Sequence, residues 1–499
     1  MTDVNRVIVV GCGNAALCAA ISAKENGADV LVLERAPQKL RGGNSAFTAG
    51  AMRVAYNGAD DLVELMPDLS EEELAITDFG SYTEDKFFDD ISRVTEHRAD
   101  PELADVLVSE SMPTLRWMRD HGVGFLPIYG RQAFKVDGRF TFWGGLTVET
   151  RGGGPGLVDS LVAEAERMGI EIRYEHEAIG LVRGDNGIEA VRVRNAEGRE
   201  EVLPASAVVL AAGGFQANPE WRTRYLGPGW DLAKVRGTKF NTGEGIQIGL
   251  EVGAAPAGNW SGCHAVGWER NAPEFGDLAV GDGFQKHSYP FGIMVNADGK
   301  RFVDEGADFR NYTYAKYGRV ILNQPHQFAW QIFDQKVTHL LRDEYRIKQV
   351  TKVTANTIEE LAQKLEGVNP EAFVAEIAAY NEAVRKDIEF NPNVKDGRRT
   401  EGLAVNKTNW ANTIEEGPFE AYQITCGITF TFGGLRINTD AEVLDQSGKH
   451  IPGLYACGEM AGGLFYFNYP GGSGLTYGSV FGRRAGRGAA ARVASVSAA

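Results

Sequence analysis

Gly11-Cys12-Gly13-Asn14-Ala15-Ala16, followed by Glu34 23 residues after Gly11, is a set of residue types suited to holding a dinucleotide. Gly11 permits a tight turn, and Gly13 lets the backbone approach a pyrophosphate. Ala16 occupies the third position of the pattern, where a small side chain still allows close helix–strand packing. Glu34 is placed to accept hydrogen bonds from a ribose. Glycines alone fit any strand–helix–strand loop, so the flanking elements decide the matter.

Those elements are present. Residues 7–10 form an apolar run that reads as a buried parallel strand, and a helix is expected from about Ala15 to Asn26. A second strand over residues 29–33 delivers Glu34. The pyrophosphate would then lie at the positive end of the helix. Further along, Arg41-Gly42-Gly43-Asn44-Ser45 offers small residues and a helix cap for close backbone approach to phosphate. Its other reading is a glycine-rich turn.

With 499 residues the chain exceeds what one core usually serves, so two domains are expected. A net charge of −16 argues against nucleic acid and anionic membrane surfaces as partners. It leaves open an anionic substrate held in a locally basic pocket. No apolar run reaches the length of a membrane span, and the early first strand leaves no room for a signal peptide. The five cysteines form neither CxxC nor CxxCH, which gives no support for iron–sulfur, zinc or c-type haem sites. Their scatter suits a reducing cytoplasm, and no metal site is expected. A bound redox cofactor would pass electrons to an acceptor outside this chain, with a membrane or iron–sulfur protein among the candidates.

Residues 58–124 read as a helical insertion, and 134–145 as a hairpin turning at Asp137-Gly138. Gly152–Gly156 launches a helix, followed by a strand at 171–174 and a meander from 178 to 203. Residues 207–210 are another apolar strand, ending in Ala211-Ala212-Gly213-Gly214, as a sheet requires where a cofactor crosses its edge. From 254 to about 420 aromatics and histidines accumulate, marking a second domain. The remainder returns to the first domain, with strands expected at 433–437 and up to Gly458-Glu459, a helix from Ser473 to about 485, and a small-residue tail at 487–499 expected to fray. The expected division is therefore 1–253, 254–420 and 421–499.

Taken together, GCGNAA with Glu34, GGNS at 42–45, AAGG at 211–214, TGEG at 242–245, GLYACGE at 453–459 and PGGSGL at 470–475 resemble flavoproteins of the fumarate reductase and succinate dehydrogenase type. That family includes soluble fumarate reductases, aspartate oxidase and 3-ketosteroid dehydrogenases, and the matches run in family order across nearly the whole chain. The resemblance implies an α/β fold: a Rossmann-like FAD-binding domain of the GR2 type with an inserted α+β substrate-capping domain. It implies FAD as the tight cofactor. The contacts it implies are Gly11, Gly13, Asn14, Ala15, Glu34, Arg35, Gly42, Gly43, Asn44, Ser45, Gly50, Ala178, Ala212, Gly213, Gly458, Glu459, Ser473, Gly474 and Leu475. Glu459 would hold the ribityl chain, and 473–475 would face the isoalloxazine. Members that attach flavin covalently carry His where this chain has Asn44, so non-covalent FAD is expected.

On the substrate side the resemblance assigns His264 to a substrate oxygen and Arg310 to proton transfer. Arg310 follows the Gly299–Glu305 motif one residue later than in the family. Where the family has a Glu and an Arg feeding that arginine, this chain has Gln285 and Ser288; Thr429 stands in a stretch that has lost its histidine, and Tyr469 replaces a substrate-clamping arginine. Tyrosine cannot replace bidentate carboxylate contacts, so plain succinate or fumarate does not suit. The combination of segments is most similar to the FAD-dependent tricarballylate dehydrogenase group, and Tyr469-Pro470-Gly471 also resembles the loop by which ketosteroid dehydrogenases polarise a ring ketone.

The expected chemistry is α,β-dehydrogenation beside an electron-withdrawing group: a base takes the α-proton while hydride leaves the β-carbon for the flavin. Tyr312, Tyr314 and Tyr469 rival Arg310 as the proton-transfer group, and Trp260 and His287 are weaker candidates. Three functions stay open: oxidation of a polycarboxylate, such as tricarballylate to cis-aconitate; oxidation of a cyclic ketone of the ketosteroid or 4-oxocyclohexanecarboxylate kind; and a flavin oxidase, hydroxylase or redox carrier. The bland readings are an ion pair for Arg310, a satisfied core ring for His264 and packing for the tyrosines.

Overall fold

The computed structural model describes residues 6–497. Its organising layer is a six-stranded sheet in the order 442–444, 450–456, 207–210, 6–10, 29–34, 171–174. All neighbours are parallel except the edge pair 442–444 with 450–456. The strand Arg6–Val10 (RVIVV) sits between Ala207–Leu210 and Asp29–Glu34, its last four residues buried. A strand covered on both faces must be apolar throughout, and this one is.

The helix Asn14–Glu25 crosses from the first strand to the second and is buried along most of its length. Its cover is the C-terminal helix Ser473–Ser497, which extends well past the expected end near 485 into the segment expected to fray. The small residues there serve contact. A Cβ added at Gly482 would lie 2.4 Å from the Ala15 carbonyl oxygen, and one at Gly486 2.2 Å from that of Ala19. Four-residue spacing places these glycines on one helix face, so the two backbones lie against each other.

The helical insertion is present as Ala59–Leu65, Glu71–Ala75, Glu84–Val94 and Pro101–Asp120. Its longest helix starts where chain chemistry demands: Asp100 Oδ1 accepts from the Glu102 and Leu103 amides, and Pro101 fills the first position. The hairpin follows as Ala133–Val136 paired antiparallel with Arg139–Phe142. A short helical turn, Tyr129–Gln132, precedes it.

The second sheet is built around one long strand, Phe419–Leu435. It pairs antiparallel with Pro256–Glu269, Ala329–Phe333 and Lys352–Ala355, and parallel with Lys234–Val235. The strand starts one residue before the expected junction at 420 and runs through it, so the stretch expected as a separate strand at 433–437 is mostly its end. Two register shifts interrupt the pairing of Pro256–Glu269, the second between His264 and Ala265. Such irregularities re-aim side chains. Here the shift adjoins the histidine singled out above. No helix among the described residues is long and apolar enough to cross a membrane.

Candidate active site

A cavity of about 260 Å³ runs from the carboxyl edge of the parallel sheet to the second sheet. At its first end are Gly11, Gly13, Glu34 and Arg35 from the first strand–helix–strand unit, with His176, Glu177 and Ala178 beside them. Gly11 has φ +112°, and a Cβ there would meet the Ala211 carbonyl oxygen at 2.4 Å. Only glycine suits both demands. The Glu34 carboxylate accepts from the Ala36 amide at 2.7 Å, and burial pushes its pKa up. Ser45 Oγ accepts from the Asn14 amide at 3.0 Å, tying the 43–47 turn to the N-terminus of the helix. The N-terminal turn of the C-terminal helix also reaches the cavity through Gly474 and Leu475. Two long helices thus present their positive ends to one elongated space, which fits a dinucleotide pyrophosphate.

In the middle, Glu459 Oε1 accepts from the Thr431 amide at 2.8 Å, and Oε2 receives Gln216 Nε2 at 3.2 Å. Burial pushes its pKa up to about 7. Thr431 Oγ1 also donates to Oε1 at 3.3 Å and Asn241 Nδ2 to Oε2 at 3.5 Å, so this buried carboxylate is held in place on the cavity wall, where it can accept hydroxyl groups. Asn44 acts as a tie: its Oδ1 accepts from the Thr238 amide at 3.0 Å and its Nδ2 donates to the Thr429 carbonyl. Gly43, Asn44, Ser45, Ala212, Gly213, Gly458 and Glu459 all line the cavity.

Gly42, Gly50 and Ser473 stand behind the wall. A Cβ at Gly42 would strike Val158, one at Gly50 would strike Thr150, and the Ser473 hydroxyl donates to the Pro470 carbonyl. These three shape the cradle from outside it. Tyr312 is likewise outside: its hydroxyl donates to Gly144 O at 2.7 Å and to Asp90, and the Arg53 guanidinium lies over its ring. It does not line the cavity, and its part is in docking the helical insertion on the second sheet. Trp260 stacks on Phe215 at 5.9 Å between ring centres, also off the cavity wall.

The far end gathers His264, Thr429, Tyr469, Tyr314 and Arg310, the remaining sequence candidates. His264 is 1% exposed, and neither ring nitrogen has a partner among the described residues. Its ring is flanked by Tyr469 at 4.8 Å, Tyr314 at 4.9 Å and Phe430 at 5.2 Å. Burial, reinforced by Arg236, holds it neutral. An unpaired buried polar group costs about 1–3 kcal/mol, so this is not a satisfied core ring. The Tyr314 and Tyr469 hydroxyls are hydrogen-bonded to each other.

Arg310 is buried, and burial lowers its pKa. Its Nη1 donates to His287 Nδ1 at 3.2 Å, and Nη2 to the Arg131 carbonyl. Three further charged residues complete this end. Arg236 contacts Asp282 at 2.6 Å and Arg131 contacts it at 3.1 Å. Gln285 Nε2 donates to the same carboxylate at 2.5 Å. The carboxylate missing at 285 therefore stands three residues earlier. Arg131 arrives from the turn after the helical insertion and Arg236 from the lead into the second sheet. No spacing in the sequence links them; only the fold does.

Known proteins share this fold. Residues 6–475 match the family model described as FAD binding domain. The chain is 28% identical over 500 residues to a probable fumarate reductase of Shewanella frigidimarina, spanning 98% of this chain and 75% of the relative. It is also 28% identical over 367 residues to a 4-oxocyclohex-2-ene-1-carboxylate 5-dehydrogenase of Sinomonas cyclohexanicum, spanning 68% of this chain and 60% of that one. Among solved structures, the open conformation of a flavocytochrome c3 fumarate reductase superposes with a TM-score of 0.72 at 26% identity, covering 99% of this chain and 79% of the other.

Proposed function

The chain belongs to the FAD binding domain family, and on that premise we propose that it oxidises a carbon–carbon single bond beside a carboxylate, on a substrate of the tricarballylate kind. It is an FAD-dependent oxidoreductase. FAD fits the residues present: Gly11 and Gly13 leave backbone room for pyrophosphate, Glu34 faces the cavity for a ribose, and Glu459 for the ribityl hydroxyls. We hold the cofactor to be non-covalent, since Asn44 offers no nucleophile and both ends of its amide are engaged. Bound there, FAD supplies a two-electron acceptor for hydride.

The observation that carries the carboxylate reading is charge. The far end of the cavity is walled by Arg131, Arg236 and Arg310 and by the carboxylate of Asp282, with the buried Glu344 behind the wall acting on Arg310 and Arg131, so three cations face two carboxylates. In a buried site such an excess is neutralised by an anion. The cation that the loop at Tyr469 lacks is thus supplied from elsewhere in the chain. Arg310 and its neighbours would hold the substrate carboxylate and stabilise the enolate as the α-proton leaves. His264, neutral and unpartnered, would donate to or accept from a second oxygen. The aromatic ring cluster around it excludes water from the reacting carbons.

A second reading has its own support. The hydrogen-bonded Tyr314–Tyr469 pair faces the same space, and a phenol can polarise a ketone and stabilise its enolate. The Sinomonas relative acts, by its name, on a ring carrying both a ketone and a carboxylate. A cyclic keto acid would use both the tyrosine pair and the arginine cluster. Electrons would then leave to an external acceptor.

Anaerobic titration of the yellow protein with tricarballylate, succinate and 4-oxocyclohexanecarboxylate tests the proposal. Bleaching by tricarballylate supports the first reading and bleaching by the keto acid alone the second. Bleaching by a neutral ketone but by no acid sinks the carboxylate assignment. Peroxide formed without an added acceptor would make the protein an oxidase instead.

A further inference from the structure

On the reading of function just given, we propose that His287 is the proton exit of the site. Arg310 gives its Nη1 proton to His287 Nδ1 and so becomes free to take the α-proton, while His287 passes its own Nε2 proton to one water held behind the ring; the ring then turns over to restore its starting tautomer. With bound FAD supplying the acceptor for the hydride, each turnover would release one proton that this path must carry away. The family-like path through 285 and 288 is occupied here by Gln285 and Ser288, neither of which changes charge.

The geometry assigns the tautomer. Arg310 Nη1 can only donate, so His287 Nδ1 is the acceptor of their 3.2 Å contact. The neutral ring then carries its proton on Nε2. That nitrogen is buried and has no partner among the described residues. Behind the ring lies a second cavity of about 20 Å³, walled by His287, Arg310, Trp143, Ser288 and Arg342 among aromatic side chains. A space of roughly 10–15 Å³ suffices for one water, provided polar partners are there. They are: Trp143 Nε1 is also buried without a partner among the described residues, and Ser288 Oγ, which accepts the Arg342 amide at 3.3 Å and lies against the Tyr345 hydroxyl, has a lone pair left to accept. One water would accept from Nε2–H and the indole N–H and donate to Ser288. Arg342 and Pro392 on the same wall are partly exposed, which opens the route to solvent.

His287 also lines the main cavity, so one ring separates the two spaces. Arg310, Arg131 and Arg236 face it, with His264 near and the Tyr314 ring 4.8 Å away. Burial and these cations hold the imidazole neutral. The ring therefore transmits a proton without storing one, which is what a relay requires.

The test begins with the flavin-loaded protein labelled with 15N at histidine, the His287 signal identified by its loss in His287→Gln. The expected spectrum shows a neutral ring protonated at Nε2, with that proton exchanging with water. A proton on Nδ1, a charged ring, or no exchange overturns the proposal whatever the substrate proves to be. Failure of every acid and ketone to bleach the wild-type flavin would instead sink the functional reading alone. With a substrate that bleaches it, His287→Gln keeps an acceptor for Arg310 but ends the relay. Its rate of flavin reduction should fall about 30-fold or more, with substrate affinity changed less than threefold and the solvent isotope effect raised. An unchanged rate would leave His287 a positioning residue only. Should that variant not fold, Trp143→Phe, which keeps the stacking and removes one partner of the water, should slow reduction severalfold; no slowing there equally overturns the relay.

Discussion

Replacing Glu459 by Gln should change how the flavin-free protein responds to pH. The Glu459 carboxyl is raised from its ordinary 4.5 to about 7, chiefly by burial, with the Thr431 and Gly214 amides and Gln216 opposing. Ionising it therefore costs the folded chain more than the unfolded one. Below pH 4.5 both states hold the proton and nothing is lost. As pH rises from 4.5 through 7 the folded state keeps a proton that the unfolded state has released, so stability falls. At about 1.4 kcal/mol per unit of pKa difference, the full loss is about 3 kcal/mol. Unfolding entropy for about 500 residues converts that to about 3 °C in Tm. The variant carries no such charge, and its new amide N–H₂ can meet Gln216 Oε1, a buried acceptor without a partner. Calorimetry of both flavin-free proteins between pH 4.5 and 8 isolates the effect, since other titrating groups cancel in the difference. The wild type should lose about 3 °C relative to the variant across that range. Parallel curves would show that the carboxylate is solvated, and the case for a buried acceptor awaiting ribityl hydroxyls would fall with it. In the presence of FAD the variant should also release the cofactor more readily on dilution.

Other outcomes follow from the same structure. Arg310→Ala should leave the protein yellow while abolishing flavin reduction by substrate; full activity would remove Arg310 from the chemistry. Gly11→Ala forces a methyl to within 2.4 Å of the Ala211 carbonyl at φ +112°, at a cost of at least about 1–2 kcal/mol from the backbone alone, so it should purify colourless. Arg301→Met leaves the Glu305 carboxylate, fully buried and paired with Arg301 at 2.6 Å, without its cation; urea unfolding should show a loss of about 3–5 kcal/mol, partly recovered by adding Glu305→Met. Acid precipitation should send the flavin into the supernatant, and a yellow pellet would refute the non-covalent assignment.

The first end of the cavity was legible because its signals are local. Residues 7–34 hold strand, turn, helix and acid within one stretch, and the strands pair as the spacing implies. The far end was not. Arg131, Asp282 and Arg236 are far apart in the chain and acquire meaning only when two ion pairs join them. Tyr312 and Tyr314 are two residues apart and looked equivalent, yet the turn at 310–312 sends one hydroxyl to Asp90 and the other to Tyr469. The long strand at 419–435 lacks alternation because it is buried almost throughout. The C-terminal helix was concealed by its glycines, which lower apolar content while permitting contact.

That helix has a consequence for biosynthesis. The sheet that carries Gly11 is completed by the strand at 450–456, and the helix Asn14–Glu25 is covered only when Ser473–Ser497 docks against it. The phosphate cradle, though encoded in the first fifty residues, cannot close around flavin until the last described element has left the ribosome. Emerging N-terminal segments must wait, with an apolar helix face uncovered, for nearly the whole chain to be made. Yellow colour therefore reports that synthesis has passed the helix Ser473–Ser497, and a chain cut short before 473 would be both colourless and prone to aggregate.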